Sequence, residues 1–164
     1  MAETPSGTST AEHEIRIEAP PEVVFAYFTD PMKMVRWMGT EAMLDPRPGG
    51  VCRVNFRREI GEVAVIGEFV EVVPHSRVVF TWGWEGDLFG VPPASTRVEV
   101  SLVPDGSGTL VRLVHGELPD AAVEPHEAGW THYLKRLSVE AAGGDTGPDE
   151  WLPPGIPSDA GEAA

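Results

Sequence analysis

Cysteine is nearly absent: Cys52 is the only one among 164 residues. No intramolecular disulfide can form, and zinc sites built on cysteine pairs are excluded. Basic residues are scarce as well. Twelve Lys and Arg face 26 Asp and Glu, giving a formal net charge of −14 at pH 7. Phosphate backbones demand clustered Lys and Arg, so nucleic acid is not expected as a partner. The same imbalance disfavours anionic lipid. No run approaches the roughly 18 apolar residues of a membrane span, and the first residues lack the basic-then-apolar order of a signal peptide. No membrane partner is therefore expected, and the cytoplasm is the expected location. Phosphate-binding loops, dinucleotide fingerprints, G-x-S-x-G elbows and H-E-x-x-H motifs are all missing.

What is present fits one domain, which usually takes about 100–200 residues. Residues 1–11 are Thr, Ser, Ala, Gly and Pro without apolar periodicity and read as a disordered leader. Residues 143–164 hold five Gly, four Pro and five acids with no Lys or Arg, and read as a disordered acidic tail that adds little stability. Trp151, Leu152 and Ile156 are odd there, and suggest as an alternative a segment that folds back over a groove. Without Glu3 and the tail acids, residues 12–142 keep twelve bases against 20 acids, so the domain itself stands at −8.

Inside the domain the period of the apolar residues changes in a definite order. His13–Glu18 alternates, with Ile15 and Ile17 on one face. Pro20-Pro21 then opens a short helix, and Asp30-Pro31 divides it from a second, about Met32–Met38. Strands follow at Glu41–Asp45, Val51–Arg57, Val63–Val73, Arg77–Trp84, Ser95–Val103 and Thr109–Gly116. Pro125–Ala142 is predicted as the longest helix, with Trp130, Leu134, Leu137 and Ala141 along one stripe. The expected class is α+β, an antiparallel sheet of about six to seven strands whose inner face only the last helix is long enough to cover.

Several ordered pieces carry a family resemblance. They are Ile15-Arg16-Ile17-Glu18-Ala19-Pro20 with Val23-Val24-Phe25, Trp37 with Gly39, and Pro48-Gly49-Gly50. Further along come Gly67-Glu68-Phe69, Arg77–Trp82, Gly108-Thr109 with His115, and Gly129-Trp130 with Leu134 and Leu137. Over residues 12–142 the chain resembles the SRPBCC superfamily, also called START-like or birch-pollen-allergen-like. Within it, the chain is most similar to bacterial homologues of the C-terminal domain of the heat-shock-protein-90 ATPase activator. The resemblance implies the helix-grip fold, a curved sheet wrapped around a C-terminal helix with a cavity between. It implies no single chemistry, since the superfamily holds polyketide cyclases and aromatases, lipid carriers and antibiotic-binding proteins.

The candidate site follows from what would face that cavity. Phe56, Phe69, Phe80, Trp82, Trp84, Leu113, Trp130 and Leu134 are expected to line it, with Trp37 near one mouth. Such rings suit a flat apolar ligand, although they serve equally as core. His115, following Val111 and Leu113, is the one candidate base or ligand donor, against the alternative of a hydrogen-bonded buried histidine. Glu68 and Glu71 share an apolar strand, so alternation turns one of them inward unless a bulge intervenes. Glu85–Pro93 is a candidate lid carrying Leu88 and Phe89. Cys52 is expected to pack as a small apolar group. The histidines show no metal-ligand spacing, so neither metal nor other cofactor is expected.

The favoured function is non-catalytic binding of a small hydrophobic molecule, flat or polycyclic, by a monomer or homodimer. A cyclase-like enzyme using His115 or a buried carboxylate is the alternative. A stress-response, co-chaperone role in protein binding ranks third, because it follows only from the resemblance.

Overall fold

The computed structural model describes residues 8–58, 61–149 and 151. The chain runs β1 (Thr8–Ile17), α1 (Pro21–Thr29), α2 (Pro31–Trp37), β2 (Glu41–Leu44), β3 (Val51–Arg58), β4 (Gly61–Val73), β5 (Arg77–Trp82), β6 (Thr96–Asp105), β7 (Gly108–Pro119) and α3 (Asp120–Ala141). Among the described residues the strands form one antiparallel sheet in the order β1-β7-β6-β5-β4-β3-β2. From β2 to β7 each strand pairs with the next in sequence, whereas β1 crosses to pair with β7, from Thr8↔Pro119 to Ile17↔Thr109.

Local chemistry sets the boundaries. Pro21 and Pro31 stand at the first turns of α1 and α2, where their missing N–H costs nothing. The Asp30 carboxylate caps α2 by accepting from the Met32 amide at 2.9 Å. Gly106 closes the β6–β7 hairpin in the left-handed region, at φ 62°. Val78, Phe80 and Trp82 of β5, Val98, Val100 and Leu102 of β6, and Val111 and Leu113 of β7 are buried on the inner face. Trp130, Leu134 and Leu137 of α3 pack among them, so the last helix is the gripped element. The antiparallel sheet covered by the last helix, expected from the alternation, and the α+β helix-grip fold that the resemblance implies are both observed.

Four expectations are corrected. The leader ends earlier than residue 11, because Thr8–Ala11 belong to β1 and Ala11 is buried; residues 1–7 lie outside the described residues. α3 begins at Asp120, so Pro125 lies inside the helix instead of opening it. β5 stops at Trp82, and Trp84 makes only an isolated bridge to Val65. In β4 a register shift between Phe69 and Glu71 lets Phe69 point inward while Glu68 stays exposed and Glu71 accepts from Arg77 at 3.0 Å. That bulge removes the expected inward carboxylate.

Part of the tail is ordered against α3. The Thr146 amide and hydroxyl both donate to Glu140 Oε2, at 2.7 and 2.8 Å. Arg136 donates to the Gly147 carbonyl at 3.0 Å, and His132 Nε2 to Asp149 at 2.9 Å. Trp151 then stacks on His132, with centroids 4.4 Å apart and planes at 15°. The fold-back alternative therefore holds for residues 143–149 and Trp151, while Leu152 and Ile156 lie outside the described residues.

Candidate functional site

The aromatic residues expected to line a cavity come together as buried, mutually packed rings where β3, β5, β7 and α3 meet. Trp82 is the hub. Its ring lies 5.0 Å from Trp130, 5.5 Å from His115, 5.7 Å from Trp84 and 6.5 Å from Phe80. Phe56 joins through Trp84 at 5.7 Å, and Phe69 through Phe80 at 6.2 Å. Most pairs meet edge to face or tilted, as ring quadrupoles prefer. Leu113 and Leu134 are buried in the same core. Trp37 is the exception: it is fully buried between the short helices, donating to the Tyr27 carbonyl at 2.9 Å and packing on Phe28, and does not stand at a mouth.

Gly83 makes this clustering possible. A Cβ there would come within 1.7 Å of the Pro92 carbonyl oxygen, so no other residue fits while the two segments cross. The close crossing turns Trp84 back toward α3, where its amide donates to Val91 at 2.8 Å.

The polar atoms of the cluster form two directed chains. Indole N–H groups only donate, so each one fixes the proton position of the imidazole it meets. Trp130 Nε1 donates to His115 Nδ1 at 3.0 Å, which leaves the proton of His115 on Nε2. That proton goes to Thr96 Oγ1 at 2.8 Å, and the Thr96 hydroxyl donates onward to the Trp82 carbonyl at 2.7 Å. Trp84 Nε1 donates to His126 Nε2 at 3.0 Å, so His126 carries its proton on Nδ1 and gives it to the Ala122 carbonyl at 2.8 Å. The rings of the two histidines are 5.2 Å apart.

Both imidazoles are therefore neutral and of opposite tautomers. Burial holds the His115 pKa well below its ordinary value, with repulsion from His126 and His13 adding to it. Burial likewise lowers His126, against a smaller opposing contribution from Ala122. The lone pair that a general base would use is already occupied by Trp130. His115 is thus the hydrogen-bonded buried histidine of the sequence alternative.

Two features of the site depart from a satisfied core. Trp82, only 4 % exposed, has no acceptor for its indole N–H among the described residues. Leaving such a donor unpaired costs about 1–3 kcal/mol. Within Glu85–Pro93, expected as a lid, the turn Glu85–Gly90 places Phe89 5.3 Å from His126 and 5.7 Å from Trp84. Asp87 and Phe89 both sit in the left-handed region, at φ 56° and 61°. For residues other than glycine that conformation costs about 1–3 kcal/mol each.

Sequence reasoning passed over three residues of importance. His126 lies four positions before Trp130 on the same stripe of α3, and that spacing within the expected helix was the available signal. Thr96, second residue of the expected Ser95–Val103 strand, read as an ordinary inward position. Glu140 is 4 % exposed and is the buried carboxylate, in place of Glu68 or Glu71. Burial pushes its pKa up, but hydrogen bonds from Thr146 and from Arg36 Nε at 3.1 Å outweigh this and hold it below the usual range. It lies on the tail side of α3, outside the ring cluster. Cys52 is buried as expected, and burial pushes its thiol up to about 12. Among the described residues no group of three or more His, Cys, Asp or Glu is placed to hold a metal ion, and no helix is long and apolar enough to cross a membrane.

A seven-stranded antiparallel sheet gripping one long C-terminal helix, with its inner face paved by aromatic rings, defines a helix-grip protein. The profile of the family described as activator of Hsp90 ATPase homolog 1-like protein matches residues 18–142, and the chain belongs to that family. An AHSA1-like protein of Rhizobium etli, solved by NMR, is 42 % identical over 93 % of both chains, with a TM-score of 0.68. A crystal structure from Chromobacterium violaceum is 26 % identical, covering 86 % of this chain and 99 % of that one, with a TM-score of 0.71. DynU16, a protein of the dynemicin biosynthetic locus, shares the fold at 23 % identity and TM-score 0.73, over 88 % of this chain and 51 % of its own. Curated proteins provide no match.

Proposed function

We propose that this protein binds a small, flat, apolar molecule between the inner face of the sheet and α3, without transforming it. The observation that carries this reading is Phe89: a ring held over Trp84 and His126 by a backbone in the left-handed region. A strained segment covering an aromatic surface is a lid that a competing ring can displace, with release of strain offsetting part of the cost of opening. Trp82, Trp84, Trp130 and Phe56 then offer ring faces and edges to the guest. The enzyme reading is weaker, because proton transfer by His115 would first require breaking its bond from Trp130.

Titration with fluorene, followed through tryptophan emission, tests the reading. Saturable quenching in the micromolar range is expected, and Phe89→Ala should accelerate association while leaving the fold intact. Absence of saturable quenching in both proteins would overturn it.

A further inference from the structure

The polar atoms of the ring cluster are nearly all paired within the protein. Every hydrogen-bonding atom around it is committed except one: Trp130 Nε1 to His115, Trp84 Nε1 to His126, His115 Nε2 to Thr96, and Thr96 to a carbonyl. Among the described residues two buried side-chain atoms lack a partner: His13 Nε2 on β1, which makes no ring contact with the cluster, and Trp82 Nε1 within it, where an indole nitrogen always carries a proton to donate. Native proteins rarely leave such a donor unpaired, and those that remain call for a partner. The donor belongs to the ring that packs against Trp84, Trp130, His115 and His126 at once, so an acceptor for it has to come from within the cluster or from a guest that enters it. Phe89 is the neighbouring occupant, sharing Trp84 and His126 with Trp82. A planar guest that takes the place of Phe89 would meet Trp84 and His126, the two rings that Phe89 and Trp82 have in common.

We infer that Trp82 Nε1 is the recognition group of the site, and that the ligand is a planar aromatic compound carrying a carbonyl oxygen, such as an aryl ketone, that accepts from it. This rests on the binding reading above. The surrounding imidazoles cannot substitute for the indole. The N–H of each already donates elsewhere, to Thr96 and to Ala122, and the remaining nitrogen of each accepts from an indole. The site therefore offers a guest one donor and no free acceptor. An aryl alcohol or amine would leave its own proton unpaired there, whereas a ketone would not. Cys52, buried with its thiol pushed up to about 12, does not compete for an electrophilic carbonyl.

The test uses 9-fluorenone and fluorene, which share a tricyclic frame and differ by the carbonyl, with the full-length protein and Trp82→Phe. One hydrogen bond is worth about 2- to 10-fold in affinity. Trp82→Phe should therefore weaken fluorenone by about that factor and leave fluorene within about 2-fold. In the wild-type protein with 15N-labelled tryptophan, the Trp82 indole proton should move downfield with fluorenone and not with fluorene, a readout independent of whether the variant folds. Equal loss for both probes, or an indole proton that moves with neither although both bind, overturns the assignment and leaves the binding reading standing. Failure of both probes to bind removes that reading and this inference with it.

Discussion

Between pH 7.0 and 5.5 the folded protein should lose stability, and His115 should account for much of the loss. Its Nδ1 lone pair accepts from Trp130 and its ring is fully buried, so the folded state takes up no proton there across this window. In the unfolded chain the same imidazole titrates near about 6.5. The sign follows directly. Lowering the pH protonates the unfolded state and not the folded one, so unfolding gains ground as pH falls below the ordinary histidine range. Each pH unit is worth about 1.4 kcal/mol for a group wholly on the unfolded side. Integrated from pH 7.0 to 5.5 this gives up to about 1.2 kcal/mol for His115, and His126, whose pKa burial lowers in the same direction, adds to it. Half-buried His13 adds to the same trend. The low pKa of Glu140 acts only further down, below the ordinary carboxylate value. Urea denaturation at the two pH values measures the difference. His115→Gln should flatten the slope by about the His115 share. Equal stability at both pH values would mean that the folded histidines accept protons, and would refute the tautomer assignment.

Two further outcomes test the fold. Leu134→Ala should cost roughly 2–5 kcal/mol in chemical denaturation, as truncation of a buried leucine does, because Leu134 sits on the face of α3 covered by the sheet. Ending the chain at Gly144 removes both Thr146 donors from Glu140 and should lower stability by about 1–3 kcal/mol, read as a fall in Tm; no change would show that the tail does not hold that carboxylate.

The sheet was readable in the sequence because its strands have one wet and one dry face. Ile15 and Ile17, or Val98, Val100 and Leu102, alternate against charge and leave little choice of orientation. The ring-bearing positions followed from the same rule, and Phe56, Phe80 and Trp82 all face inward. Trp84 reached the cluster by another route, since alternation alone ignores the crossing at Gly83 that redirects it. The β4 bulge is invisible to a period-two reading, which is why Glu68 and Glu71 were expected to compete for the interior. His126 and Glu140 were missed because hydrogen-bond partners decide whether a polar side chain is buried, and those partners are distant in sequence. Trp84 lies 42 positions from His126, and Arg36 lies 104 from Glu140. Composition read the tail as unstructured, and could not register that α3 presents Arg136, His132 and Glu140 to receive it.

The pairing of β1 with β7 also sets an order on synthesis. Ile17 finds its neighbour Thr109 only after 92 further residues have been made. At about 5–20 residues per second, the first strand waits on the order of 5–20 s on the ribosome with its edge unmatched. Its outward side chains, Glu12, Glu14 and Arg16, keep that edge charged throughout the delay, which discourages pairing with a neighbouring nascent chain. The core between sheet and helix cannot close until α3 has emerged, so the inner face of the sheet stays uncovered until the last helix of the domain is made.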